Sequence, residues 1–71
     1  KAMEKGGNSP CILNAANEIA VSAFLNDKIG FLNMADLIDN CLEKINFVKN
    51  PSLEELIESD LETRNLATNY L

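Results

Sequence analysis

Asn14, Asn17 and Glu18 are the side chains whose type and spacing most suggest work at a surface. With Ser22 they are the polar residues between Cys11 and Leu25, and their helical spacing gathers them into one stripe on a helix otherwise apolar nearly all round. Asn is a mediocre helix residue, because its side chain competes for backbone hydrogen bonds, and amides are a poor choice for a stripe that meets only water. Either the stripe is simply solvated or it hydrogen-bonds a neighbouring segment. The second reading makes Asn14, Asn17 and Glu18 candidates for an interdomain contact.

Catalytic chemistry is harder to place. The chain has no His and no Trp, and its two cysteines, Cys11 and Cys41, each sit among apolar residues of an expected helix. That set does not make a zinc site, and a secreted domain of this size would carry a denser cysteine framework. Both thiols read as reduced core residues of a cytosolic protein. No Gly-rich dinucleotide or phosphate-loop fingerprint occurs, and no trio of acids falls on an apolar pocket. No catalytic, cofactor-binding or metal-binding residue is therefore assigned. The run GGNSP, Gly6 to Pro10, leads two glycines into a helix start whose free N–H groups favour an anion, although capping by Ser9 explains the same residues without a ligand.

The elements that must position these residues are helices. Ala2, Met3, Glu4 and Lys5 are good helix formers running into Gly6, which suits the end of a helix cut short. Ser9 as N-cap and Pro10 in the first turn predict a second helix reaching about Asn26, with Ile12, Ala15, Ala16, Ile19, Ala20, Ala23 and Phe24 on its core face. Leu13, Val21 and Leu25 widen that face, as in a central helix touched on more than one side. Asn26, Asp27 and Gly30 supply turn chemistry. Asn33 is a candidate cap for a third helix, with Leu32 and Leu37 as a hydrophobic staple, and Met34, Leu37, Ile38, Cys41, Leu42 and Ile45 forming its apolar face. Its other face, with Asp36, Asp39, Asn40, Glu43 and Lys44, reads as solvated.

Phe47 and Val48 are expected to reach into the core from a loop ended by Pro51, after which Ser52 and Glu55 form a capping box. Leu53, Leu56 and Ile57 mark an apolar face, but a continuous helix would bring Asp60 and Arg64 onto it. A break near Ser59 and Asp60 is the expectation. The fold class is thus all-α, a small helical bundle of three to four helices with the last one broken.

Bulk properties set the remaining bounds. A chain of 71 residues, 46% hydrophobic and 24% charged, is one small globular domain rather than a disordered tail. Its formal charge of −5, from 11 acids against 6 bases with no basic cluster, argues against nucleic acid or an anionic membrane surface as partner. The longest uncharged run, Gly6 to Asn17, is too short and too polar to cross a bilayer.

The same stretch carries a resemblance. Gly6, Gly7 and Pro10, the word LNAANE at Leu13 to Glu18, then Ala20, Val21, Ala23, Phe24, Leu25 and the IGFL turn at Ile29 to Leu32 resemble the C-terminal domain of 1-deoxy-D-xylulose 5-phosphate reductoisomerase. The likeness continues more loosely through Ser52, Glu54, Glu55, Asp60, Arg64 and Ala67. It implies that residues 1–71 are the C-terminal helical bundle of a longer enzyme and follow its catalytic domain. That enzyme would be a cytoplasmic, or in eukaryotic relatives plastid, homodimeric oxidoreductase using NADPH and a divalent cation, Mg or Mn, in isoprenoid synthesis. The nicotinamide, metal and substrate-phosphate residues would all lie upstream of Lys1, so the fragment alone would be inactive. The competing class is a stand-alone helical protein-interaction module.

Overall fold

The computed structural model describes residues 6–71, which form three helices: α1 Ser9–Leu25, α2 Phe31–Lys44 and α3 Leu53–Tyr70. This is the expected all-α bundle, with no strand among the described residues. The helix end expected at Ala2 to Lys5 lies outside them. α1 is the central element and packs against both α2 and α3, which touch each other less. Cys11 lies against Leu56 and Glu18 against Arg64, so α1 and α3 run parallel and α2 returns the chain between them.

The core is built from small side chains. Ala15, Ala16, Ala20 and Ala23 of α1 are buried with Ile12, and of these Ile12, Ala16 and Ala20 cluster with Leu37 and Cys41 of α2 and Ala67 of α3. Met34, Ile38, Leu42 and Ile45 pack around this cluster half-buried, as the apolar spacing of α2 requires. Alanines let helix backbones approach closely, so α3 can present an equally small face, Ser59, Thr63 and Ala67, at four-residue spacing. The place where an interruption was expected is helical throughout. There the Thr63 hydroxyl donates to the Ser59 carbonyl at 2.6 Å, which satisfies a buried polar group without ending the helix. Asp60 and Arg64 stay at the margin of the buried face and pair with each other at 2.9 Å.

Two helix starts differ from the sequence expectation. The N-cap of α1 is Asn8 rather than Ser9: the Asn8 carbonyl accepts the Ile12 N–H at 3.0 Å, and Ser9 is buried inside the first turn. The N-cap of α2 is Gly30, and Asn33 sits three residues inside, where its side chain accepts the Gly30 N–H at 3.2 Å. The expected staple does not form, since Leu32 is 82% exposed while Leu37 is fully buried. Gly30 in extended geometry lets the helix begin early enough for Phe31 to meet the Phe24 ring edge-on, with centroids 6.1 Å apart. The box of Ser52 and Glu55 caps α3 as expected, with bonds of 3.1 and 2.9 Å.

α1 ends in a Schellman-type turn. The Lys28 N–H returns to the Ala23 carbonyl at 2.8 Å and the Asp27 N–H to the Phe24 carbonyl at 3.1 Å. Asp27 occupies the left-handed position with φ of 59°, a conformation that costs any residue with a Cβ. Asp27→Gly is expected to raise unfolding stability by up to about 1 kcal/mol, as the strain relieved outweighs the extra freedom of the unfolded chain. A higher urea midpoint at unchanged slope is the confirming measurement.

Candidate functional site

The most heavily bonded side chain is one that sequence reasoning passed over. Asn8 is completely buried and ties three segments together. Its Nδ2 donates to the Asn46 carbonyl and to Ser59 Oγ, each at 2.9 Å, while its Oδ1 accepts the Val48 N–H at 2.8 Å. Its own N–H donates to the Val48 carbonyl at 3.0 Å. Every polar group of the residue thus has a partner, and the loop before α3 is fastened to the start of α1. Gly7 permits the approach: a Cβ there would overlap the Val48 carbonyl oxygen and lie 2.9 Å from Phe47 Cε1, at a φ of 59° that already favours glycine.

This clasp also answers the anion reading of GGNSP. The Asn8 N–H is used by Val48 and the Ser9 N–H by the Gly6 carbonyl at 3.1 Å, so the groups that would cradle a phosphate are engaged internally. The only signal in the sequence was an Asn preceded by two glycines and followed by Ser-Pro. The preference of both Asn and Ser for the N-cap hid which of them caps and which is built into the core.

The amide stripe divides in two. Asn14 and Glu18 face the α3 side: Asn14 Nδ2 lies 3.5 Å from Glu18 Oε2, and Glu18 Oε1 accepts from Arg64 Nη2 at 2.9 Å. Arg64 Nε donates to Asp60 Oδ2 at 2.9 Å, which completes a chain of polar groups across α1 and α3. The hydrogen bond that Arg64 donates to Asp60, then the one it donates to Glu18, pushes the guanidinium pKa above its ordinary value. With side chains 35–55% exposed, these pairs orient rather than stabilise strongly. Asn17 is exposed beside Pro10, Leu13 and Asn14 around a shallow hollow and makes no hydrogen bond among the described residues.

Among the described residues no group of three or more His, Cys, Asp or Glu could hold a metal ion. Burial, with Asp60 adding to it and Arg64 opposing, pushes the Cys11 thiol pKa up, and burial does the same to Cys41. Neither is poised as a nucleophile. No described helix is long and apolar enough to cross a membrane.

Residues 1–66 match the family described as the DXP reductoisomerase C-terminal domain. The chain belongs to this family. It is 45% identical over its full 71 residues to the 1-deoxy-D-xylulose 5-phosphate reductoisomerases of Phocaeicola vulgatus and Bacteroides thetaiotaomicron. It is also 48% identical over 64 residues, 90% of its length, to that of Bacillus cereus strain AH187. The chain spans about a fifth of the length of these relatives, 19%, 18% and 17% respectively. Within the domain, Asn8 and Gly7 fasten the loop before α3 to the start of α1.

Two outcomes follow for the domain itself. Asn8→Ala leaves the Val48 N–H and the Asn46 carbonyl without their buried partner, and is expected to cost about 2–4 kcal/mol in a urea titration. Because the folded state raises both thiol pKa values, their contribution to stability is intact below the ordinary thiol pKa and declines as pH rises through the folded value. The unfolding midpoint of the unsubstituted domain is therefore expected to fall more between pH 8 and pH 10 than that of Cys41→Ala.

Proposed function

We propose that this chain serves as the non-catalytic C-terminal domain of an oxidoreductase that rearranges and reduces 1-deoxy-D-xylulose 5-phosphate to 2-C-methyl-D-erythritol 4-phosphate. The reaction uses NADPH and a divalent cation, Mg or Mn, and is a step of non-mevalonate isoprenoid biosynthesis. The observation that carries this reading is the sequence identity to enzymes of that name along the whole of the chain. NADPH, cation and sugar phosphate would be held by residues upstream of Lys1. Homodimerisation and a cytoplasmic setting, with plastids for eukaryotic relatives, belong to the same reading. The identity favours it over a free-standing interaction module.

Within that enzyme, Asn14, Asn17 and Glu18 form the contact to the preceding catalytic domain. Asn17 supports this most directly, since it is an amide on a helix surface with no partner among the described residues. Glu18 is already held by Arg64 and acts by fixing the shape of the surface.

NADPH oxidation dependent on both the sugar phosphate and a divalent cation is expected of the complete polypeptide and not of residues 1–71 alone; oxidation by the 71-residue chain would contradict the assignment. Asn17→Ala should lower the stability of the complete enzyme by about 1 kcal/mol through a lost interdomain hydrogen bond. In the 71-residue chain the same change should raise stability by up to about 0.7 kcal/mol, Ala being the better helix former. Unchanged stability and turnover of the complete enzyme would remove the contact.

A further inference from the structure

The large apolar residues of α3 are on its outside. Leu53, Ile57 and Leu61, spaced by four, are 73%, 59% and 60% exposed, while the helix buries Ser59, Thr63 and Ala67. On α1, Val21 and Leu25 are 37% and 72% exposed. These two sets belong to one side of the molecule. Leu61 lies three residues before Arg64, Val21 three residues after Glu18, and the 2.9 Å pair of Arg64 with Glu18 joins the two helices between them. Since α1 and α3 run parallel, the apolar residues follow this side from Leu53 at one end to Leu25 at the other, about 25 Å for a helix of this length.

At the centre of this side one cation is held by two carboxylates, a net charge of −1 over the three groups. Arg64 is shared by Glu18 and Asp60, so covering its surroundings leaves the cation paired. The outer face of α2 is different, with Asp36, Asp39, Glu43 and Lys44 exposed to solvent. An isolated domain gains nothing by turning three large aliphatic side chains of one helix outward while burying two hydroxyls, unless that side is itself covered.

We propose that the α1–α3 side, centred on Ile57, Leu61 and the Glu18–Arg64 pair, is an intramolecular docking surface for the polypeptide that precedes this domain in the same chain. The occupant follows from length: the relatives extend about four fifths of their sequence beyond the part matched here, and the match is to their C-terminal domain. Covering this surface adds an apolar seam to the amide contact, so the inference rests on the functional reading given above.

The test uses the complete enzyme carrying Ile57→Cys, Leu61→Cys or, as control, Glu43→Cys on the outer face of α2. Maleimide labelling of each site is followed by peptide mapping, which separates it from Cys11 and Cys41. Positions 57 and 61 are expected to react at least about tenfold more slowly than position 43, at a rate unaffected by dilution. A smaller difference overturns the proposal. Slowing that disappears on dilution also overturns it, since that would mean a second copy covers the surface. NADPH oxidation with 1-deoxy-D-xylulose 5-phosphate by the unsubstituted enzyme is measured alongside. Rapid labelling in an active enzyme refutes the docking surface alone, whereas absence of that activity refutes the functional reading whatever the labelling shows.

Discussion

The buried carboxamide of Asn8 is the contact on which the arrangement of the three helices depends. A helix pair built from alanines, a serine and a threonine has little side-chain volume to lock its geometry, so something directional must fix where α3 lies along α1. Asn8 does so with bonds of 2.8–2.9 Å to the loop at Asn46 and Val48 and to Ser59 within α3. Inside a protein such bonds are electrostatically stronger than in water, and any unpaired member is costly, so the site admits one register. Gly7 is the steric condition for it.

From that register the rest follows. Ser59 held at Asn8 turns the Ser59, Thr63 and Ala67 face of α3 inward, which sends Leu53, Ile57 and Leu61 outward and places Arg64 within reach of Glu18. The polar chain across α1 and α3 is a consequence of the same rotation. So is the exposure of the aliphatic stripe. The domain is thus organised to present a surface, with Arg64 held between Glu18 and Asp60 across it.

Much of this was legible in the sequence, and the failures share a cause. The periodicity of Met34, Leu37, Ile38, Cys41, Leu42 and Ile45 gave the buried face of α2, and Ser52 with Glu55 gave the start of α3, because both signals are local. The course of α3 beyond Ser59 departs from the pattern of its large apolar residues, because these face outward while Ser59, Thr63 and Ala67 face inward. Where the partner helix offers alanines, close approach selects small residues, and Ser and Thr can be buried when local bonds satisfy them. Asn8 was invisible for a related reason: its partners lie 38, 40 and 51 residues away. The placement of Glu18 against Arg64 likewise needed the parallel packing of α1 and α3, which no spacing rule supplies. The amides of LNAANE were recognised as a surface feature from their helical spacing alone, but their division between an α3 side and an open hollow required the fold.

Asn8 fastens the loop before α3 to the start of α1. Hydrogen exchange at the Val48 amide tests it directly, since this N–H lies outside any helix yet donates to a buried side chain. Protection matching that of core amides such as Ala16 and Ala20 is predicted, with exchange only through global unfolding. Exchange at the rate of an open loop would contradict the account.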